Sequence, residues 1–295
     1  METYLAATLT STGIYILLTL GLSLQYGFTG LINFGHVAFF AIGAYSSAIL
    51  SLQGWPVLPS IAMAVVLAGV SAVPIGLLAI RLREDYFAIA TLAFSEIIRI
   101  VLTAEQKVTG GINGLTGIPR PFFSPGTGGA DDVIYLAFVA LMDLAAVLLL
   151  LSIVRSPFGR LIQAIRDDEQ AVRALGKDPV TFKMSVFVVG AGLAGLAGAL
   201  QAHYITFISP EQFTPTVTFY VWIAMILGGA GRISGAVLGS FLLIGFLEGT
   251  RFLRDILPWI SASDMASVRL AIVGLAFIGC TIYMPGGIVA RFPKR

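Results

Sequence analysis

The sequence predicts an all-α polytopic membrane protein, and its composition and its succession of apolar runs support this fold class. Hydrophobic residues make up 57% of the 295-residue chain and charged residues only 12%, whereas soluble domains average about 45–50% and about 25%. Nine apolar runs follow one another along the chain, and most approach the ~20 residues that cross a bilayer as a helix. A net charge of +2 is too small for nucleic-acid binding through counterion release.

The apolar runs define the predicted elements in order. They occupy residues 4–24, 34–52, 57–80, 86–104, 132–154, 184–207, 215–230, 233–250 and 267–285. Because no basic residue precedes the first run, we interpret it as a retained span and not as a secretory signal. The seventh and eighth runs are short and interrupted by glycines from Gly228 to Gly235, a pattern typical of discontinuous helices. We therefore expect about nine transmembrane segments, some of them discontinuous.

The basic residues predict the orientation of these segments. The largest basic cluster, from Arg155 to Lys183, lies in one loop, which the positive-inside rule places in the cytoplasm. Twelve lysines and arginines then lie inside and five outside, with Arg99 within a span. This asymmetry predicts that the N-terminus is outside and the C-terminus inside.

Two long loops differ in character. Residues 105–131 are rich in glycine and proline and lack periodicity, which is typical of a turn-rich loop, here external. Residues 155–183 are charged and follow a helical pattern. Ser156 is a good N-cap, Pro157 suits a first helical position and Gly176 suits the residue after a helix end. We predict two short helices joined near 167–168, with Leu161, Ile162 and Ile165 on one apolar face. By itself, this face fits protein docking and a helix lying on lipid headgroups equally well.

Five stretches together resemble the permease subunits of ABC importers in the branched-chain amino acid transport family. They are LQYGFTGLINFGHVAFFAIGAY at 24–45, REDYFAIATLAFSEIIR at 83–99, TGGINGLTGIP at 109–119, the loop pattern SPFGR, AIR, Asp-Glu and Ala-Leu-Gly within 156–176, and LGGAGRISGAVLG at 227–239. The third stretch resembles the member of the two paralogous subunits that carries a Thr-Gly-Gly loop. Two departures occur: Glu169-Gln170-Ala171 stands where importer loops read Glu-Ala-Ala, and Met284-Pro285-Gly286-Gly287 where the family reads Arg-Pro-Gln-Gly.

The resemblance implies one permease domain over residues 1–295 in the cytoplasmic (inner) membrane of a prokaryote. It also implies four kinds of partner besides the lipid bilayer: a paralogous permease, two cytoplasmic ATP-binding subunits and an extracytoplasmic solute-binding protein. Loop 155–183 would be the coupling loop that docks on an ATPase. Its coupling residues would be Gly159, Arg160, Leu161, Ile162, Ile165, Arg166, Asp168, Glu169 and Gly176.

Four polar residues within or beside the spans are candidates for the translocation path, because charges in a bilayer are costly and often functional. Glu96 lies three residues before Arg99 on one helix and can pair with it. Asp143 lacks a basic neighbour within a turn, so it must face protein or water. Asn33 and His36 flank Gly35 where the second run begins. For each of the four, a purely structural role as cap, ion pair or packing contact remains an alternative.

The sequence contains no catalytic set. It has neither a GxxxxGK[ST] phosphate-binding motif nor an HExxH zinc motif, and its one cysteine and two histidines argue against a metal cluster. We expect no cofactor and no enzymatic activity, with ATP hydrolysed by partner subunits. The resemblance implies import of branched-chain or other neutral amino acids. Import of urea or short amides is the first alternative, and a stand-alone secondary transporter or a membrane-embedded enzyme is a weaker one.

Overall fold

The computed structural model describes residues 2–79, 82–122, 130–256 and 286–291, with a few further positions between 271 and 279. This part of the chain forms eleven α-helices and two short strands. The helices are α1 (Glu2–Leu22), α2 (His36–Leu52), α3 (Val57–Ala79), α4 (Glu84–Ala104), α5 (Gln106–Thr109), α6 (Ala130–Arg155), α7 (Pro157–Asp167), α8 (Glu169–Ala174), α9 (Pro179–Ile205), α10 (Pro215–Gly228) and α11 (Ile233–Ile256). Strands β1 (Leu115–Thr116) and β2 (Phe207–Ile208) pair antiparallel.

The helices confirm the all-α polytopic fold class. Five are long and apolar enough to cross a membrane: α3, α4, α6, α9, and α1 extended by a π-helical turn over Ser23–Gly27. Helix α2 is apolar but has 17 residues, and α10 and α11 meet at an angle of 119°. The first six apolar runs thus correspond to helices. The number nine stays a prediction, because the bent pair counts as one span or two and the run 267–285 lies largely outside the described residues.

Helix α9 forms the centre of the bundle and packs against α1, α2 and α3. Its middle carries Gly192, Gly195 and Gly198, all buried. A methyl group added at Gly43 in α2 would collide with the backbone of Gly195, and one added at Gly198 would collide with the carbonyl of Phe40. Small residues at these positions therefore let the two backbones touch, as expected for closely packed membrane helices.

Helix α11 runs antiparallel to α1 along most of its length. The Ser240 hydroxyl lies 2.9 Å from the Thr19 hydroxyl, and the Tyr4 hydroxyl donates to Glu248 over 2.9 Å nearer the other end of α1. Helix α10 packs against α11 and α1 and touches the beginning of α2, where the Val37 amide donates to the Thr218 hydroxyl over 3.0 Å. The glycine-broken region predicted from the sequence is thus a sharp turn between two packed helices.

Contacts place the two long loops at opposite ends of the bundle. Loop 155–183 lies at the end where α1 finishes and where α10 turns into α11. The loop after α4 lies at the other end of α6, where Leu115 pairs with Ile208 beyond the end of α9. This separation agrees with the predicted topology. Which end faces the cytoplasm remains a prediction from the basic residues.

Candidate functional site

Loop 155–183 consists of two short capped helices, as the sequence predicts. The Ser156 hydroxyl accepts the Gly159 amide at 3.2 Å and begins α7. Asp168 separates the helices, and its carboxylate accepts the Ala171 amide at 2.9 Å at the start of α8. Gly176 follows the end of α8 with φ at +75°, a conformation that glycine adopts without steric cost. These caps give the loop a defined shape between α6 and α9.

The apolar face of α7 packs against this chain and not outward. Ile162 is 0% exposed and Ile165 is 3% exposed, and Leu161 is half-buried. A methyl group at Gly159 would collide with the carbonyl of Val154 at the end of α6. Ile162 and Ile165 therefore fasten α7 to its own chain, whereas the sequence leaves open what covers this apolar face. The assignment of Leu161, Ile162 and Ile165 as ATPase-coupling residues stays a prediction.

A different set of side chains forms the outer surface of this loop. Leu175 is 81% exposed. It adjoins an open recess of about 600 Å³. The recess is lined by Arg173, Gly176, Lys177, Asp178, Pro179 and Val180. Together with the exposed Arg160, Ala164 and Ala171 on α7 and α8, these residues form what we call the outer loop surface.

Glu169 ties α8 to the beginning of α9. Its carboxylate lies 2.6 Å from Arg173 in the same helix and 2.5 Å from the Lys183 ammonium. Partial burial by itself raises the pKa of Glu169, but the hydrogen bonds and charges of Lys183 and Arg173 outweigh it and hold the pKa below the ordinary value. The carboxylate therefore stays ionised at neutral pH and fixes the orientation of α8.

Arg166 joins α7 to the end of α1, although 40% of its side chain is exposed. Its Nη1 donates to the Gly27 carbonyl over 2.7 Å, while Nε and Nη2 donate to Asp167 at 3.0 and 2.9 Å. The resemblance names Arg166 among the coupling residues, but nothing in the sequence predicts its contact with Gly27, which lies 139 positions away.

Asn33 and His36 belong to a buried polar network where α2 begins. The Asn33 amide donates to Gln25 over 2.8 Å, and its side-chain oxygen accepts the Gly35 amide at 2.8 Å. The His36 Nε2 donates to the Leu18 carbonyl over 3.1 Å, whereas its buried Nδ1 has no hydrogen-bond partner in the part of the chain that the structure describes. Both side-chain groups of Asn33 are thus satisfied internally, in a turn just before α2, whose N-cap residue Gly35 makes no side-chain cap hydrogen bond.

Glu96 and Asp143 lie apart from that network. Glu96 forms the predicted ion pair with Arg99 on one face of α4, with side chains 41% and 31% exposed. The Asp143 carboxylate of α6 faces α1, where a methyl group at Gly13 would lie 2.7 Å from it. Its Oδ1 is buried and finds no hydrogen-bond partner among the described residues. The structure therefore does not gather the four candidate path residues into one site.

The opposite end of the bundle holds residues that the sequence reasoning missed. The Arg120 guanidinium lies 2.7 Å from Asp132 and over the rings of Tyr135 and Tyr204, at 5.2 and 5.4 Å. His203 lies 2.7 Å from the Pro119 carbonyl. No local pattern announces these contacts, although tyrosines near span ends are typical of membrane interfaces.

A bundle of this kind, with five helices long and apolar enough to cross a membrane, defines a multi-pass membrane protein. The chain belongs to the family of permease components of branched-chain amino acid transport systems, whose family model matches residues 4–280. It is 37% identical over 261 residues to the high-affinity branched-chain amino acid transport system permease protein LivM of Salmonella typhimurium, and equally to that of Escherichia coli K12.

The coverage of these relatives is unequal. Each LivM match includes 80% of this chain, and the chain spans 61% of the relatives' length. The permease protein LivH of Escherichia coli K12 is 27% identical over 300 residues, which cover 96% of this chain and 93% of LivH. No solved structure gives a significant match. The family is one of permease components of ABC transporters and not of enzymes.

Proposed function

We propose that the chain is the LivM-like permease subunit of an ATP-driven importer for branched-chain or other neutral amino acids. The observation that carries this proposal is the family match over residues 4–280, together with the higher identity to LivM than to LivH. The Thr-Gly-Gly loop at 109–111 supports the same assignment. The chain would act in the inner membrane of a prokaryote, with loop 155–183 in the cytoplasm and residues 105–131 outside.

In this proposal the chain forms the translocation path with a paralogous LivH-like permease. A solute-binding protein delivers the amino acid from outside, and two cytoplasmic ATP-binding subunits hydrolyse ATP. The outer loop surface is the docking site for one of these subunits, because it combines an exposed leucine with an adjoining polar recess. Buried apolar anchors within a polar rim are what stable protein contacts commonly use.

One variant tests the docking surface directly. Leu175→Asp places a charge on a residue that is 81% exposed, so we expect normal folding but loss of ATPase co-purification and of leucine uptake in proteoliposomes holding all subunits. Leu52→Asp is the control, because Leu52 is exposed at the opposite end and should leave co-purification unchanged. Retained ATPase binding in Leu175→Asp would contradict the docking assignment, and uptake of urea without leucine would contradict the substrate class.

A further inference from the structure

Three separated segments meet at one point beneath α7. The Arg166 guanidinium donates to the Gly27 carbonyl over 2.7 Å. A methyl group at Gly231, in the turn between α10 and α11, would lie 2.8 Å from that same carbonyl oxygen and 3.3 Å from Arg166 Nη1. A methyl group at Gly27 would in turn collide with the Gly231 backbone. Helix α7, the end of α1 and the turn between α10 and α11 are therefore in direct contact.

The middle member of this junction is the π-helical turn Ser23–Gly27. Such turns are rare and occur frequently at functional sites. The same turn carries Gln25, whose amide donates to the Phe187 carbonyl of α9 over 3.1 Å and whose oxygen accepts Asn33 at 2.8 Å. Trp222 of α10 donates to the Asn33 carbonyl over 3.1 Å. A shift of the turn would therefore reach α9 and α10 through buried hydrogen bonds.

The C-terminal segment packs on the same α10–α11 turn. A methyl group at Gly287 would collide with the backbone of Gly229, and Arg232 donates to the Val289 carbonyl over 2.8 Å. The turn is thus held between two elements, and Arg166 supplies the contact from the coupling-loop side. Its hydrogen bond is charge-assisted and so stronger than an ordinary amide bond.

We propose that Arg166 is a positioning residue that transmits movement of α7 through the π-helical turn Ser23–Gly27 to the turn between α10 and α11. This inference rests on the proposed function, because it assumes that an ATPase moves loop 155–183. Arg166 then acts on the membrane segments and not on the ATPase, in contrast to the residues of the outer loop surface.

The main test measures substrate transported per ATP hydrolysed in proteoliposomes holding all subunits. Arg166→Met keeps the long apolar stem but removes every donor, and we expect this ratio to fall about tenfold while ATPase co-purification stays normal. Arg166→Lys keeps one charged donor and should recover part of the loss. Arg155→Met is the matched control, because Arg155 is exposed at the end of α6, and it should leave the ratio unchanged.

A distance measurement tests the transmission itself. Spin labels at the exposed positions Gln170, which is not part of the outer loop surface, and Ser234, with the single cysteine Cys280 changed to alanine, report the separation between the loop and the start of α11. We expect that separation to stay constant on ATP addition in the otherwise unaltered chain and to change in Arg166→Met. Equal behaviour of the two chains would overturn the inference.

Two further outcomes separate the possible failures. Loss of ATPase co-purification in Arg166→Met would show that Arg166 contacts the ATPase directly, and it would overturn the inference without touching the proposed function. If the unaltered complex transports none of the amino acids, the proposed substrate fails. The label distances on ATP addition then still decide between transmission and its absence.

Discussion

The two ends of the bundle are held in different ways. At one end, loop 155–183 is fixed by a few charged contacts, chiefly Glu169 with Lys183 and Arg166 with Gly27, and by the buried Ile162 and Ile165 beneath α7. At the other end, the segment 110–120 is held by backbone pairing and by a guanidinium lying over two tyrosine rings.

This difference leads us to expect that the two ends differ in how readily they move. One contact of loop 155–183, that of Arg166 with Gly27 beside Gly231, joins α7 to the end of α1 and to the turn between α10 and α11. The contacts of segment 110–120 spread over α6 and α9, because Arg120 meets Asp132 and Tyr135 on one helix and Tyr204 on the other. We therefore expect loop 155–183 to move as one unit and segment 110–120 to stay attached to the bundle.

The largest effect is expected when the buried apolar face of α7 is disrupted. Ile165→Asp should destabilise the protein by at least the roughly 2–5 kcal/mol that loss of a buried isoleucine costs, since a carboxylate would also be buried without a partner. Thermal unfolding of the purified protein in detergent measures this. Ala164→Asp is the control, because Ala164 is the exposed neighbour on the same helix. Similar midpoints for the two variants would mean that α7 is not fastened by its apolar face.

Much of the structure of loop 155–183 could be predicted from sequence, because helical periodicity and helix caps are local signals. Ser156, Asp168 and Gly176 occupy the cap positions that their residue types favour. The direction of the apolar face could not be predicted, because periodicity shows that Ile162 and Ile165 share a side but not what covers that side. Burial of both residues by the same chain is a tertiary fact.

The packing of segment 110–120 and the contact of Arg166 with Gly27 and Gly231 also depend on long-range contacts, and the sequence does not predict them for the same reason. Segment 110–120 has no periodicity, yet Gly114 packs against the Ile208 carbonyl and Pro119 meets His203. The close approach of Gly27 and Gly231 is visible only in the structure. Among the candidate path residues, the sequence identifies Asn33, His36, Glu96 and Asp143 by polarity alone, and polarity does not separate a cap or an ion pair from a path.

A smaller effect is expected when the contacts of segment 110–120 with α6 and α9 are removed. Arg120→Ala removes the ion pair with Asp132 and both ring contacts, and we expect a loss of about 1–2 kcal/mol in stability. Hydrogen exchange should accelerate in residues 110–118 and stay unchanged in α7 and α8. Lys107→Ala, an exposed change in the same loop region, serves as the control. Faster exchange in α7 would contradict the independence of the two ends.

The smallest predicted effect is a dependence of stability on pH that comes from Glu169 in loop 155–183. The pKa of Glu169 is held below its ordinary value of 4.5 in the folded chain, so folding favours the ionised form. A lowered pKa stabilises the protein above the unfolded value, and that stabilisation disappears as the pH falls through the folded value. We expect the advantage of the unaltered chain over Glu169→Gln to be constant above about pH 5 and to vanish in stronger acid.

The comparison with Glu169→Gln isolates this one group, because Asp178 also titrates with a lowered pKa, held down mainly by its hydrogen bond from Thr181. Both chains carry Asp178, so its contribution cancels in the difference between their unfolding midpoints. Since Glu169 is partly exposed, solvent screening keeps the expected difference below about 1 kcal/mol. A difference that grows as the pH falls would reverse the sign and would mean that Lys183 and Arg173 do not stabilise the carboxylate. A difference that is absent at every pH would mean that α8 is oriented by its N-cap Asp168 alone. Loop 155–183 would then be attached to the bundle through Arg166 and the buried face of α7.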